Sequence, residues 1–244
     1  MSRPFALFLL SLFCLLSHPV SADDWTDADT ARLVAGMRNP PLADSWAIME
    51  GQIEHKARGK KTIRLPISFR ARFMPERSLG QLIFNEQERY LIGQSFADKA
   101  EGTSVIPQKE AVEGDTSLAD VGIRPSDITL SFLYWDFVAD RGEDRLKTQP
   151  CRIIELQHPG GQEKARVWVS IKHQFPLQVQ WYTADSDKPY RELEISKLKK
   201  VNEVWIISQV KISNPGWKTA IKFKDIELYM ANEDPIPDDL FLED

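Results

Sequence analysis

Few residues of this sequence have side chains that could carry catalysis. After the first 22 residues there are three histidines, His55, His158 and His173, and one cysteine, Cys151. A reactive thiol needs a basic neighbour, and no spacing in the sequence places a histidine beside Cys151. Cys151 begins a predicted strand, which favours a buried structural thiol, and His173 lies at a predicted turn. Because HExxH, GxSxG, CxxC and glycine-rich phosphate motifs do not occur, we expect no catalytic residues and no enzyme.

The acidic end of the chain, "NEDPIPDDLFLED", is the other candidate for chemistry, since carboxylates can bind calcium. Its acidic residues do not have the alternating spacing or the glycine of a calcium loop. We interpret it as a charged tail in which Ile236, Leu240 and Phe241 dock on the sheet. The sequence therefore predicts neither a metal nor a cofactor.

The apolar residues of the predicted strands are more informative. Residues 167–182, "VWVSIKHQFPLQVQWY", predict two alternating strands joined by a turn. The clearest strand, in "TIRLPISFRARF", places Arg64, Arg70 and Arg72 on one face. Its other face has a row of apolar residues: Ile63, Leu65, Ile67, Phe69, Ala71 and Phe73. Such a row needs a second layer, which could be protein or ligand, although a closed and fully packed core remains the alternative.

The first 22 residues have the pattern of a secretory signal peptide: a basic residue, an apolar run from Phe5 to Leu16, and small residues before Ala22. We expect the mature chain to begin near Asp23 and to lack a lipid anchor. No other run approaches the roughly 20 apolar residues of a membrane helix, so we expect a protein that does not span a membrane. The net charge of −5, with both signs interspersed, argues against nucleic acid as a partner.

The elements that must position these residues follow from the periodicity. Thr26 is a predicted N-cap of a short helix that ends before Asn39. Four strands follow, then a polar loop over residues 97–125. The stretch "PSDITLSFLYWDF" could be a strand, but we prefer a short helix capped by Ser126. Six more strands extend from Cys151 to Met230, so residues 23–244 are predicted to form one domain with an extensive antiparallel sheet and helical pieces on its apolar face.

A basic cluster, "HKARGKKTIR", begins at His55 and lies at a predicted hairpin turn. A solvated turn is the favoured interpretation of such a run. A docking patch for anionic lipid headgroups or an acidic partner is the alternative.

Several phrases resemble those of outer-membrane lipoprotein-sorting proteins of the LolA-like family. They are the cysteine-led "CRIIEL", the "VWV" strand, "PLQVQWY", the alternating "YRELEISK" and the closing "PDDLF", together with the upstream "SWAIMEGQIEHK" and "SFLYWDF". The resemblance extends over roughly residues 46–241. It implies a mainly β fold: an incomplete, strongly curved antiparallel β-barrel with short helices as a lid over a hydrophobic cavity.

The resemblance also implies a function and its site. The expected role is that of a monomeric periplasmic carrier whose cavity binds the acyl chains of lipoproteins, or lipids, and whose partners are an inner-membrane releasing complex and an outer-membrane receptor. A lipid sensor or protein-interaction module on the same fold is the alternative. The predicted cavity residues are Trp46, Ile48, Leu65, Ile67, Phe69, Phe73, Val167, Val169, Leu177, Val179 and Trp181. The predicted lid residues are Ile128, Phe132 and Trp135.

Overall fold

A computed structural model describes residues 25–38, 44–96 and 103–243. The signal peptide predicted at residues 1–22 lies outside these ranges. The strands are β1 (Ser45–Ala57), β2 (Ile63–Phe73), β3 (Arg77–Phe84), β4 (Glu88–Ser95), β5 (Thr103–Lys109), β6 (Asp136–Leu146), β7 (Gln149–Gln157), β8 (Glu163–Ser170), β9 (Phe175–Thr183), β10 (Arg191–Val201), β11 (Val204–Asn214) and β12 (Trp217–Met230). The helices are α1 (Asp27–Arg38), α2 (Pro125–Ile128) and a 3₁₀ helix (Ser131–Tyr134).

All twelve strands belong to one antiparallel sheet. Their order is β5-β4-β3-β2-β1-β12-β11-β10-β9-β8-β7-β6, so each hairpin pairs with its neighbours and β1 joins β12 across the middle. The sheet is curved and open, with β5 and β6 as its two edges. The predicted fold class is therefore confirmed, with the correction that the sheet does not close into a barrel.

The two edge strands were missed by the sequence prediction, which gave ten strands. β5 lies within residues predicted to be a loop, and β6 follows the predicted short helix directly. Both strands are largely exposed on both faces, so neither has the apolar alternation that reveals a half-buried strand. β6 is also interrupted by two register shifts, and Gly142 has a φ of 93°.

The concave face of the sheet carries the core, and α1 packs on it. Thr26 caps α1 as predicted: its Oγ1 accepts a hydrogen bond from the Asp29 amide at 3.3 Å, and Asp29 accepts one from the Thr26 amide at 3.0 Å. Leu33, Val34 and Met37 are buried along one side of the helix. The helix therefore contributes part of the second layer that the strands require.

The C-terminal segment, residues 231–243, crosses the opposite, convex face. Arg70 donates to the carbonyl of Leu240 at 3.3 Å, and Gln81 both donates to and accepts from the backbone of Leu242 at 2.8 Å. Leu240 is 3% exposed, which agrees with the predicted docking of the tail, whereas Ile236 is 42% exposed. The face of β2 that carries its arginines is thus the convex face, as the strand periodicity predicted.

Candidate functional site

The candidate site is the apolar wall on the concave face of the sheet. The register places inward-facing residues of neighbouring strands side by side, for example Val167 opposite Val179 and Met49 opposite Phe69. Most of the predicted cavity residues belong to this wall. Ile67, Phe69, Val167, Val169, Val179 and Trp181 are buried members of the core, and Leu65 and Phe73 are partly buried against it. Whether the wall binds lipid remains a prediction.

Three predicted cavity residues lie elsewhere. Trp46 pairs in register with Arg72 and Ile48 with Arg70, so both side chains are on the convex face. Trp46 stacks on Tyr229 at 4.2 Å between ring centroids, on the same face. Leu177 is the extra residue of a β-bulge, because its neighbours pair with consecutive residues of β8, and it is half-buried outside the core. The sequence prediction placed these three residues with the concave row, and the register separates them from it.

A short segment with little regular structure covers the wall. We call residues 117–135 the lid segment; it contains α2 and the 3₁₀ helix. The single helix predicted here is broken because Leu130, between the two pieces, adopts the left-handed conformation with a φ of 54°. Few backbone hydrogen bonds hold such short helices together, so tertiary contacts must fix the segment.

The predicted lid residues face the wall. Phe132 is 4% exposed, and its ring meets that of Trp181 edge to face at a centroid distance of 5.3 Å. Ile128 and Trp135 are partly buried and pack against the same core. The second layer over the wall is therefore protein in this structure, formed by α1 and the lid segment together.

A buried ion pair joins the lid segment to the sheet. Arg191 of β10 donates to both carboxylate oxygens of Asp127 in α2, with 2.9 Å from Nη1 to Oδ1, and donates to the Gly122 carbonyl at 3.0 Å. The side chains of Arg191 and Asp127 are only 5% and 3% exposed. The guanidinium also lies 4.7 Å from the ring centroid of Trp181. One arginine thus contacts both the lid segment and the wall beneath it.

A second, more exposed ion pair holds the lid segment beside the first. Arg124 donates to the two carboxylate oxygens of Glu163 at 3.0 and 2.9 Å and to the Tyr190 hydroxyl at 3.0 Å. Burial opposes ionisation of Glu163, but hydrogen bonds from Arg124 and Tyr190 together outweigh it, so the pKa of this carboxyl is lowered. The carboxylate therefore stays charged to a lower pH than an ordinary glutamate carboxyl does.

Two polar contacts hold the start of the lid segment. The Leu118 amide donates to the Glu88 carboxylate at 2.6 Å. The hydroxyl of Thr219, in β12, donates to the Val121 carbonyl at 2.5 Å and shares a 2.8 Å hydrogen bond with Nδ1 of His55. The lid segment is thus bonded to strands on both halves of the sheet.

Sequence reasoning missed Arg191, Asp127, Arg124 and Glu163. One signal for Arg191 was available, because it alternates with Leu193 and Ile195 and so belongs to the apolar face of β10. A charge on such a face requires a buried partner. No local pattern could have named that partner, which lies 64 residues away.

Cys151 and the acidic side chains are the groups that the sequence offered for chemistry. Burial raises the pKa of the Cys151 thiol, which makes it a poorer nucleophile at neutral pH. In the described ranges, no group of three or more His, Cys, Asp or Glu side chains is arranged to hold a metal ion. Over the same residues, no helix is long and apolar enough to cross a bilayer.

A surface cleft of about 750 Å³ lies at one end of β3 and β4. Pro75, Arg77, Leu79 and Phe96 are among the residues that line it, and none of the predicted cavity residues does. The cleft is therefore separate from the apolar wall.

The comparisons with known proteins concern both sequence and fold. A family model described as "uncharacterized protein" matches residues 110–244. The chain has no significant match among curated proteins.

Solved structures share the fold at low identity. A DUF1329 family protein from Desulfovibrio piger is 16% identical with a TM-score of 0.62, and the match covers 83% of this chain and 93% of that one. A LolA superfamily protein from Nitrosomonas europaea is 11% identical with a TM-score of 0.54, covering 87% and 97%. A proposed outer membrane lipoprotein-sorting protein domain from Vibrio parahaemolyticus is 14% identical with a TM-score of 0.57, covering 87% and 94%. The chain therefore has a LolA-like fold.

Proposed function

Since the chain belongs to the family of uncharacterized proteins whose model matches residues 110–244 and has a LolA-like fold, we propose that it is a periplasmic carrier. Its cargo is an acyl chain, either of a lipoprotein or of a free lipid. The role is one of binding and release without covalent chemistry. The observation that carries the proposal is the apolar wall covered by a segment that has only two short helices and is held to the sheet by a few polar contacts.

The energetics favour an exchange between lid and cargo. Moving the lid segment exposes the rings of Phe132 and Trp181, which pack against each other in this structure. Each methylene of an acyl chain that takes their place contributes about 0.8 kcal/mol. An acyl chain of ordinary length therefore offsets the loss of the lid contacts. The lid segment and the acyl chain then compete to cover the same apolar wall.

The Arg191–Asp127 ion pair sets the balance in this competition. If only the open state binds the ligand, the observed affinity is the intrinsic affinity multiplied by the fraction of molecules that are open. A rarely populated open state therefore lowers the observed affinity. Replacing Arg191 with lysine keeps the charge but removes the two-point contact with Asp127. We therefore expect Arg191→Lys to bind acyl chains more tightly, by about tenfold if the closed state loses about 1.4 kcal/mol.

The test is a titration of the mature protein with a long-chain fluorescent fatty acid, with native mass spectrometry to count bound chains. The matched control is Arg166→Lys, since Arg166 contacts the buried carboxylate of Glu155 on β7, away from the lid segment. The proposal predicts saturable binding by the parent, tighter binding by Arg191→Lys and no change for Arg166→Lys. Absence of binding by both the parent and Arg191→Lys, each correctly folded, would contradict a carrier.

A further inference from the structure

The β10–β11 hairpin extends beyond the strands beside it. β10 pairs with β9 only through residues 191–194, and β11 pairs with β12 only through residues 209–214. Residues 198–207 therefore pair with each other alone, around a turn at Asn202 and Glu203, and Lys197 pairs with Gln209 at their base. We call residues 197–207 the hairpin arm.

The arm has an inner face that rests on the protein. Lys199 donates to the Lys224 carbonyl at 3.3 Å, and Asn202 donates to the Leu228 carbonyl at 2.7 Å, both in β12. Val201 and Ile206 pack against the hydrophobic core on this side. These contacts fix the orientation of the arm and leave its other face turned outward.

The outer face exposes large apolar side chains. Trp205 is 64% exposed, more than any other large hydrophobic side chain in the described ranges, and Leu198 is 40% exposed. Lys200 pairs in register with Trp205 and Leu198 with Ile207, so these four residues share one face, and only Ile207, at the base of the arm, packs against the core. A tryptophan of this exposure contributes little to the stability of the chain itself, which points to contact with something outside it.

The charge of the arm identifies the kind of surface it would meet. Lys197, Lys199 and Lys200 lie within four residues, and Glu203, which forms an ion pair with Lys200, is the single acidic residue of the arm, so three lysines and one glutamate give the arm a net charge of +2 in a chain of net charge −5. Tryptophan and lysine side chains together are typical of segments that sit at a membrane–water interface, where the ring lies at headgroup depth and the ammonium groups meet lipid phosphates.

We propose that the hairpin arm docks this protein on a bilayer surface that carries anionic headgroups, with Trp205 and Leu198 inserted at headgroup depth and the exposed ammonium groups of Lys197 and Lys200 contacting phosphates. The inference rests on the proposed carrier role for its purpose, because a carrier must approach the membranes that give and receive its cargo. The docking itself requires no cargo, so it is measured separately.

The experiment is flotation of the cargo-free mature protein with vesicles of phosphatidylglycerol and phosphatidylethanolamine, compared with vesicles of phosphatidylcholine alone. We expect binding to the anionic vesicles that weakens with salt. Trp205→Ser should lower the partition constant at least tenfold. Replacing Lys197 and Lys200 by glutamine should lower it further, since each lysine near an anionic surface contributes about fivefold.

Two control variants separate this site from general attraction. Lys60→Gln with Lys61→Gln removes two exposed charges from the basic β1–β2 turn, and Val112→Ser removes an apolar side chain that is 59% exposed elsewhere. Both should bind vesicles like the parent. Equal losses for Lys60→Gln/Lys61→Gln and for the arm lysines, with no effect of Trp205→Ser, would overturn the proposal, as would failure of the parent to float.

Fatty-acid titration of Trp205→Ser distinguishes docking from cargo binding. Trp205 is outside the hydrophobic core, so its replacement should leave fatty-acid affinity unchanged. A parent that floats but binds no fatty acid would contradict the carrier and keep the docking surface. A parent that binds fatty acid but does not float would contradict the docking surface and keep the carrier.

Discussion

At the residue scale, the ion pair between Arg191 and Asp127 is the contact on which the closed arrangement depends most. Both side chains are buried, and the carboxylate also accepts from the Arg124 amide at 2.7 Å, so it caps α2. Two buried charges are costly to bring together, but removing one of them leaves the other without compensation. The pair is therefore a strong constraint on where the lid segment lies.

We predict that Asp127→Asn lowers the free energy of unfolding by about 3–5 kcal/mol, because it leaves the Arg191 guanidinium buried opposite a neutral group. Urea denaturation followed by circular dichroism gives the value. Asp187→Asn is the matched control: Asp187 is fully exposed and 3.9 Å from Arg166, so it should cost less than about 0.5 kcal/mol. Similar small losses of unfolding free energy in both variants would show that the buried ion pair does not fix the position of the lid segment.

The second ion pair gives the protein an acid sensitivity with a defined sign. The pKa of Glu163 is lowered from its ordinary value of 4.5, so this carboxylate stabilises the fold above that pH and the contribution is lost as pH falls through the folded pKa. We predict that Glu163→Gln is less stable than the parent at pH 7 and that the difference shrinks below pH 4.5.

Urea midpoints measured from pH 7 to pH 3 test this dependence. Glu155 and Asp140 also have lowered pKa values, through their arginine partners and against burial, so both proteins should lose stability in acid. Glu203→Gln, in which the replaced carboxyl is exposed, is the control and should follow the parent. A constant difference between Glu163→Gln and the parent at every pH would contradict the assignment.

At the element scale, several hairpin turns place residues other than glycine in the left-handed backbone conformation. Three turns have two consecutive residues with positive φ, namely Asn85–Glu86, Lys147–Thr148 and Asn202–Glu203. This is the geometry of two-residue turns that match the twist of paired strands, and asparagine followed by glycine suits it best. The chain uses bulkier residues at the second position each time, so the strand pairing, rather than the turn residues, holds these turns.

We predict that Thr148→Gly raises the free energy of unfolding by about 1 kcal/mol, because a β-branched residue at a φ of 72° is strained and glycine is not. Thr148 is exposed, so little packing is lost. Thr183→Gly, at an exposed position of β9, is the control and should lower stability by about 0.5–1 kcal/mol. Thermal unfolding compares the two, and destabilisation of similar size in both would contradict the strain argument.

At the scale of the whole molecule, the sheet is one continuous wall and the lid segment is a separate layer on it. Backbone ladders join each strand to its neighbours, whereas the lid segment joins the sheet through a few polar contacts and its apolar side chains. Parts of a protein with few backbone hydrogen bonds open at lower free energy than central strands. The lid segment is therefore the part that can move without disturbing the wall.

We predict that a bound acyl chain displaces the lid segment. Hydrogen exchange with mass spectrometry should show faster exchange of residues 117–135 in the presence of saturating fatty acid and slower exchange in β8 and β9, which the cargo covers. The C-terminal segment on the convex face serves as the internal control and should not change. Slower exchange of the lid segment on binding would indicate that cargo does not take its place.

The sequence alone determined which residues could form the wall. Strand alternation is a local property, so the inward row of β2 with its outward arginines, the β8–β9 hairpin and the capped helix α1 could be predicted from residue order. The register was not available in this way: Trp46 and Ile48 are as apolar as the wall residues, and only pairing with Arg72 and Arg70 puts them on the convex face. The edge strands β5 and β6 could not be predicted in this way, because exposed strands need no apolar face.

Only the tertiary structure decided what covers the wall. Periodicity shows that an apolar face needs a second layer, but the layer is chosen by contacts between residues far apart in the chain. Arg191 reaches Asp127 across 64 positions, and Thr219 reaches Val121 across 98. Such partners are selected by burial, since a charge or hydroxyl removed from water must find its partner wherever the fold brings one close. The alternation of apolar side chains in the sequence therefore specifies which residues form the wall. The position of the lid segment is specified by hydrogen bonds and ion pairs between buried polar groups that are far apart in the chain.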